Sequence, residues 1–184
     1  MESSPARYTS HAIALHWIVG LLIIGNLCFG LYTVGLPLSP QKLRYFSYHK
    51  WVGVTILLLA AARLAWRLRH PPPPLPATMP RWEKMAASGS HVLLYVLFFA
   101  APLSGWLMSS ALGFQTVYLG VVPIPDLLGK NRELGEVLKV VHRTINYSMA
   151  ALIVVHAAAA IKHHLHDRDD VLTRMIPFLK RPAA

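Results

Sequence analysis

The chain has 184 residues, of which 54% are hydrophobic and only 14% carry a formal charge. Soluble domains carry about 25% charged residues, so this composition excludes an ordinary soluble domain and a disordered chain. The chain is nevertheless basic, with 18 lysines and arginines against 8 acidic residues, and it holds ten histidines but one cysteine, Cys28. A single cysteine excludes an intrachain disulfide and a cysteine-based zinc or iron–sulfur centre.

Four long apolar stretches predict an integral membrane protein. Each is near the ~20 residues that a helix needs to cross about 30 Å of hydrocarbon, and none alternates as a membrane β-strand does. The predicted spans cover about residues 12–36, 49–68, 91–112 and 140–161. The expected fold class is an all-α, integral membrane four-helix bundle that forms a single domain over residues 1–184.

The segments around these spans have distinct compositions. The first span is expected to be retained rather than cleaved as a signal, because Glu2 precedes it and a His-Trp pair interrupts its apolar run. Five prolines between residues 71 and 76 predict an extended linker after the second span. The loop over residues 113–139 is the longest, and its part from Asn131 to Lys139 is amphipathic.

Lysine and arginine predict the orientation, because cytoplasmic loops are enriched in both. One side carries the N-terminus, the second loop and the C-terminus, with eleven basic residues: Arg7, Arg63, Arg67, Arg69, Arg81, Lys84, Lys162, Arg168, Arg174, Lys180 and Arg181. The other side has seven: Lys42, Arg44, Lys50, Lys130, Arg132, Lys139 and Arg143. Both termini are therefore expected in the cytoplasm. The outer side also has three acidic residues, so its net charge is +4, and topology alone does not explain this positive charge.

An ionisable residue inside a span is a functional hypothesis, because hydrocarbon offers it no partner. Five histidines lie in or at the ends of the spans: His16, His49, His91, His142 and His156. His142 and His156 are 14 residues apart, so they face one side of a helix and lie about 21 Å apart along its axis. His16 can pair with His156 at the inner level, and His49 with His142 at the outer level.

Two imidazoles from different helices at each level point to two haems stacked across the membrane. Bis-imidazole ligation leaves no open position on the iron and suits electron transfer. A single intramembrane histidine is more often hydrogen-bonded to a neighbouring helix than bound to a metal. That alternative does not explain two pairs of histidines that lie at matching depths in the membrane. Zinc is the weaker rival, because it takes compact tetrahedral sites and the spans contain no acidic residue.

Other charged groups near the inner level have two interpretations each. His163 lies seven residues after His156 on the same helix face, and with His164 and His91 it predicts a histidine cluster at the inner interface. Such a cluster suits a quinone site, because histidines exchange protons near neutral pH, and the alternative is solvated interfacial side chains. Arg63 is expected either to pair with a haem propionate or to extend to the membrane surface.

Several segments, in order along the chain, resemble the bacterial cytochrome b561 family. They are YTSHAIALHW in the first span, RLAWRLRHPPPP after His49, SHVLLYVLFFAAPLSGWLM in the third span, and HRTINYSMAALIVVHAAAAIKHH followed by DDVLTRMIP. The resemblance covers nearly the whole chain and implies a di-haem b-type four-helix bundle in the bacterial inner membrane. It is closest to the short stand-alone members that act as superoxide oxidase and pass electrons from periplasmic superoxide to ubiquinone.

The resemblance also implies roles for single residues. It implies four axial iron ligands: His16 and His156 for the inner haem, and His49 and His142 for the outer haem. His91 and His163 match further histidines of the family, which are placed at the inner haem edge or the quinone site. His91 remains the main rival of the two inner ligands.

Superoxide is an anion, so basic outer loops raise its encounter rate in a salt-dependent way. The candidates for this steering are Lys42, Arg44, Lys50, Lys130 and Arg132, together with Lys139 and Arg143. The expected activity is electron transfer from superoxide to ubiquinone within the lipid bilayer, and the sequence contains no nucleic-acid-binding motif. The alternatives are a quinone-coupling subunit for a periplasmic dehydrogenase, hydrogenase or small electron carrier, and a haem-free helical membrane protein.

Overall fold

A computed structural model describes residues 7–179, so Lys180 and Arg181 of the predicted cytoplasmic set lie outside the described residues. Four helices make up most of the described chain: α1 (Ser10–Gly35), α2 (Pro40–Arg69), α3 (Arg81–Ala111) and α4 (Arg132–Leu165). Each is long and apolar enough to cross a membrane. The predicted all-α membrane architecture with four spanning segments is therefore confirmed.

The helices are longer than the predicted apolar spans, because capping residues rather than hydropathy set where they begin. Helix α2 starts at Pro40, since the Ser39 hydroxyl accepts a hydrogen bond from the backbone N–H of Lys42 and proline suits the first helical turn. Helix α4 starts after the Asn131 cap. The amphipathic stretch predicted in the long loop is therefore the beginning of α4.

Two ends of the bundle are distinguished by the segments that they carry. The end with residues 7–9, residues 70–80 and residues 166–179 is called the tail side. The end with residues 36–39 and 112–131 is called the loop side. Because the chain crosses four times, the segments before α1 and after α4 both lie on the tail side.

Side chains from helix α1 and from the segment after α4 tie the tail side together. The Trp17 indole donates a hydrogen bond to the carbonyl of Met175 at 2.8 Å. Arg174 donates to the carbonyl of Pro74 at 2.6 Å, which links the same segment to the proline linker. The linker has no helix or strand over residues 71–76, as its prolines predict.

A short β-hairpin occupies the loop between α3 and α4, and the sequence analysis missed it. Strands β1 (Thr116–Tyr118) and β2 (Val122–Ile124) pair antiparallel. Leu119 and Gly120 form its turn with positive φ angles of 53° and 75°. The Trp51 indole of α2 donates to a β1 carbonyl at 2.6 Å, so the hairpin lies against that helix.

A buried apolar core lies in the middle of the bundle and draws on all four helices. Its buried members are Val19, Ile23, Ile56, Ala60, Leu94, Leu97, Phe98, Ala101 and Met149. Helix α3 packs most extensively on α4, and α1 on α2, whereas α1 and α4 have the least contact of the neighbouring helix pairs. In lipid, van der Waals packing of this kind holds the helices together, because lipid chains are as apolar as the side chains.

The packing at the loop side can be tested at Gly135, in the first turn of α4. A Cβ added there would come within 2.7 Å of the Leu112 Cγ atom, so Gly135→Ala should lower the thermal unfolding temperature in detergent. Gly89→Ala is the matched control, since its Cβ meets nothing within 4 Å and alanine favours a helix by about 1 kcal/mol. An unfolding temperature that falls equally in both variants would contradict this account.

Candidate functional site

Imidazoles from different helices face each other at two levels of the bundle. Nearer the loop side, His49 on α2 faces His142 on α4, with ring centroids 6.4 Å apart. Nearer the tail side, His16 on α1 faces His156 on α4, with ring centroids 6.2 Å apart. The structure thus brings together both pairs that the sequence analysis had matched by level.

A third imidazole and a guanidinium join the tail-side pair. His91 on α3 has its ring centroid 5.4 Å from that of His156. Arg63 on α2 places its Nη2 atom 3.1 Å from the His16 Nδ1 atom, and its guanidinium lies over the Tyr95 ring at 5.2 Å. Four helices therefore contribute a nitrogen-bearing group to this level.

Ser104 fixes the proton of His142, and the sequence analysis missed this serine. Its hydroxyl donates to the carbonyl of Ala101 at 2.9 Å, and Oγ lies 3.0 Å from His142 Nδ1. A hydroxyl has one proton, so Oγ must accept from His142, which places the imidazole proton on Nδ1. The Nε2 atom then carries the lone pair, and the Asn146 amide nitrogen lies 3.3 Å from it. The sequence feature that could have indicated this role is the presence of a serine within an apolar span.

Small and polar residues shape the loop-side pair further. The Asn26 amide donates to the backbone carbonyl of His49 at 3.3 Å. A Cβ at Gly30 would lie 2.8 Å from the His49 Cε1 atom, and one at Gly105 would lie 3.0 Å from the His142 Cε1 atom. Both rings therefore occupy space that only glycine leaves open. The buried Nδ1 atom of His49 has no hydrogen-bond partner within residues 7–179.

His163 is surrounded by acidic side chains on the tail side. Its Nδ1 atom lies 2.7 Å from a carboxylate oxygen of Asp169 and 3.0 Å from one of Asp167, and its Nε2 atom lies 4.0 Å from Glu83. Lys162 bridges Glu83 and Asp167, at 2.8 Å to each. The hydrogen bond from Lys162 lowers the pKa of Asp167 below its ordinary value. The sequence analysis had placed His163 among histidines and did not anticipate these carboxylates.

A cavity of about 350 Å³ lies between α2 and α3 beside His91. Its lining is Leu64, Arg67, His91, Val92, Tyr95, Val96 and Phe99. Val92 and Val96 are exposed on the outer surface of the bundle, so the cavity opens toward the region that lipid occupies. On the tail side, the buried Nδ1 atom of His164, near the end of α4, has no hydrogen-bond partner in the described chain.

Two of the predicted steering lysines are held by backbone carbonyls. The Lys42 ammonium donates to the carbonyls of Val34 and Leu36, at 3.0 and 2.5 Å, and so caps the end of α1. The Lys50 ammonium donates to the Ser109 hydroxyl at 3.1 Å and to two carbonyls of the loop that precedes β1. Both lysines therefore stabilise the loop side as well as adding charge to it.

The remaining steering candidates are less constrained. Arg44, Lys130 and Arg132 are exposed on the loop side. The methylene chain of Lys130 packs over Gly113, where an added Cβ would lie 3.1 Å from its Cδ atom. These side chains leave their charged groups free to attract anions.

Comparison with known proteins assigns the chain to a family. The sequence profile of the prokaryotic cytochrome b561 family matches residues 7–178. The chain belongs to that family. It is 32% identical to cytochrome b561 homolog 2 of Escherichia coli (strain K12), over 95% of this chain and 93% of the relative. It is 31% identical to the probable superoxide oxidase CybB of Yersinia pestis, over 93% of this chain and 96% of the relative.

Family membership establishes the general role of this cytochrome. It is a multi-pass protein of the bacterial inner membrane that transfers electrons, and the family implies b-type haem as its cofactor. Another relative, cytochrome b561 homolog 1 of Escherichia coli (strain K12), is 30% identical over 93% of this chain and 97% of its own length. The chain thus spans nearly the full length of all three relatives.

The two facing pairs fit an iron atom between them. A metal–imidazole bond is about 2.0–2.1 Å and the ring nitrogen lies about 1.1 Å from the centroid, so two imidazoles that bind one metal from opposite sides have centroids roughly 6.2–6.4 Å apart. Both pairs have this spacing, whereas the 5.4 Å between His91 and His156 is too short. A Cβ at Gly20 or Gly53 meets nothing within 4 Å, which leaves room for a flat macrocycle one turn from each pair.

Proposed function

We propose that this cytochrome holds two b-type haems and carries electrons from superoxide on the loop side to ubiquinone on the tail side. In this orientation the loop side faces the periplasm and both termini lie in the cytoplasm. The observation that carries the proposal is the spacing of the two histidine pairs, 6.4 and 6.2 Å between centroids. A haem bound at each level supplies a one-electron carrier with no open coordination position.

The proposed ligands are His49 and His142 on the loop side and His16 and His156 on the tail side. His142 has the best-defined geometry, because the contact with Ser104 places its proton on Nδ1 and so leaves the lone pair on Nε2. His16 is favoured over His91 as the partner of His156 by the centroid distances, 6.2 Å against 5.4 Å.

Arg63 must exchange its present partner for another when His16 binds iron. A neutral imidazole that binds a metal through Nε2 carries its proton on Nδ1, and a guanidinium can only donate. The 3.1 Å contact between Arg63 and His16 Nδ1 therefore cannot persist when His16 is a ligand. Arg63 then needs another acceptor, and a haem propionate is the carboxylate that we assign to it.

Superoxide is proposed as the donor on the loop side. Each superoxide anion loses one electron and becomes dioxygen, so two anions reduce one quinone, which takes up two protons to give the quinol. Three exposed basic residues support this donor: Arg44, Lys130 and Arg132. Lys42 and Lys50 add further positive charge on the same side. A relative that is named a probable superoxide oxidase supports it independently.

Ubiquinone is proposed to bind in the cavity beside His91. The cavity opens toward lipid, has an apolar lining and offers the imidazole of His91 and the guanidinium of Arg67 as donors to a quinone carbonyl. Protons are proposed to reach this side through His163 and His164. Of these, His163 contacts Asp167, which is exposed to solvent, so the tail side offers a route for protons from water.

The second candidate is a quinone-coupling subunit that receives electrons from a periplasmic dehydrogenase, hydrogenase or small electron carrier. It is favoured by the carbonyl contacts of Lys42 and Lys50, which give these lysines a structural reason to be present without an anionic donor. The identity of the donor distinguishes the two candidates.

A pulse of superoxide should reduce the purified cytochrome, and added salt should slow the reaction because it screens the steering charges. Combining Arg44→Gln, Lys130→Gln and Arg132→Gln should lower the rate several-fold at low salt. The matched control is a triple glutamine variant of the exposed tail-side residues Arg69, Arg81 and Arg168, which should react as the parent does. Stopped-flow absorbance of the haem measures the reduction rate of the parent protein and of each variant. Absence of reduction by superoxide would leave the coupling subunit as the function.

Replacing either α4 ligand should remove one haem. His142→Ala should abolish the haem of the loop side and His156→Ala that of the tail side, since each leaves one imidazole without a partner. The haem-to-protein ratio from pyridine haemochrome spectra should fall from two to about one in each variant. The exposed His166→Ala is the control and should keep both haems. A full haem complement in the two ligand variants would refute the assignment.

Ser104→Ala should shift the reduction potential of the loop-side haem to a more positive value. The hydrogen bond from His142 Nδ1 raises the basicity of the imidazole and so stabilises ferric iron. Ser104→Thr keeps the hydroxyl and should restore the parent potential. Ser90→Ala is the control, because Ser90 makes the same hydroxyl-to-carbonyl bond on α3, to Ala87 at 3.0 Å. Spectroelectrochemical titration gives the potentials, and an unchanged loop-side value in Ser104→Ala would exclude this role.

A further inference from the structure

The hairpin between α3 and α4 is uncharged and apolar in a chain that is otherwise strongly basic. No residue from Gly113 to Pro125 carries a charge. The side chains at and after its turn are nevertheless exposed, Leu119 at 59%, Val121 at 78% and Val122 at 55%. Contiguous exposed apolar surface of this kind marks a contact with a partner or a membrane.

The hairpin lies on the outward face of α2, opposite the histidine that faces the interior. Trp51 donates to a β1 carbonyl at 2.6 Å, and the Thr55 hydroxyl lies 2.9 Å from the Tyr118 hydroxyl. At about 100° per residue, Trp51 and Thr55 point roughly 200° and 240° around the helix from His49. The hairpin therefore lies on the surface that α2 turns away from the bundle.

The depth of the hairpin also follows from these contacts. Thr55 lies about 9 Å further along α2 toward the bundle centre than His49, at about 1.5 Å per residue. The Tyr118 hydroxyl reaches Thr55, so the side chain of Tyr118 extends past the position of His49 on α2 toward the bundle centre. At that depth the outward surface of a spanning helix is surrounded by lipid.

Aromatic side chains mark the membrane boundary at the same place. Tyr32, Tyr45, Tyr48 and Trp51 form a chain of ring contacts, with successive centroids 6.2, 6.3 and 5.2 Å apart. Tyrosine and tryptophan are enriched where a bilayer meets water. A Cβ at Gly120 would lie 3.8 Å from the Trp51 ring, so the hairpin turn continues this belt.

The turn itself places an apolar residue where the backbone disfavours it. Leu119 has a φ of 53°, in the left-handed region that glycine and asparagine tolerate better than leucine. A large apolar side chain at an exposed turn is favourable when it leaves water for an apolar medium. The unpaired edges of the two strands still require water or polar headgroups, which restricts the hairpin to the boundary of the bilayer.

We propose that this hairpin is an interfacial lipid anchor. The side chains of Leu119, Val121 and Val122 insert between the headgroups and acyl chains of the loop-side leaflet. The anchor holds the loop between α3 and α4 at a fixed depth. This inference stands on the geometry of α2 and the hairpin and does not depend on the identity of the electron donor.

The test uses the single cysteine of the chain. Cys28→Ser gives a cysteine-free background, and Val121→Cys then carries one nitroxide spin label in vesicles of phosphatidylethanolamine and phosphatidylglycerol. Collisions with dioxygen, which concentrates in lipid, are compared with collisions with a water-soluble nickel chelate. Glu133→Cys, exposed on the loop side, is the aqueous control, and Val154→Cys, exposed in the middle of α4, is the lipid control.

We expect the label at position 121 to meet dioxygen more often than the nickel chelate, with a ratio between those of the two controls. The label at position 133 should show the reverse preference. If position 121 collides with the chelate as freely as position 133, the hairpin lies in water and the proposal is overturned in favour of a protein-docking surface. Val122→Cys repeats the measurement at a second exposed site, and the haem absorbance of each variant reports that it has folded.

Discussion

The arrangement of this cytochrome depends on keeping two pairs of imidazoles facing each other at about 6 Å. The centroid distances are 6.4 and 6.2 Å, and the two rings of each pair come from different helices. In lipid, no exclusion of water drives helices together, so packing elsewhere must hold them at this distance. The buried core around Phe98 and Met149 provides that packing, and Met149 lies midway on α4 between its two histidines.

Polar groups in the spans orient the rings instead of joining the helices directly. Ser104 accepts a hydrogen bond from His142, and Asn26 donates one to the backbone carbonyl of His49. An ionisable or hydroxyl group in hydrocarbon requires such a partner, so the same side chains that satisfy one another also set the direction of the free ring nitrogens.

The histidine positions could be predicted from the sequence because helical periodicity is a property of the chain alone. Residues 142 and 156 share a face of α4 in any straight helix, and the apolar runs define the spans. The family membership, the four helices and the membrane location were predicted and are confirmed. The boundaries were less accurate, because caps such as Ser39 and Asn131 extend α2 and α4 into polar sequence.

Contacts between segments distant in sequence could not be predicted in the same way. Ser104 meets His142 only because α3 packs on α4, and Asp169 meets His163 only because the segment after α4 turns back on its helix. Neither contact leaves a periodic signal. The hairpin was missed because its strands have three residues each, too few for alternation to be distinguished from an apolar loop.

The bond between Trp17 and the carbonyl of Met175 has a consequence for biogenesis. Helices α1 and α4 have the least contact of the neighbouring helix pairs, yet this bond connects helix α1 to the segment that follows α4. That segment is synthesised after all four helices. The tail-side link between the first helix and the segment after the last is therefore made only once the whole membrane-spanning part has been synthesised.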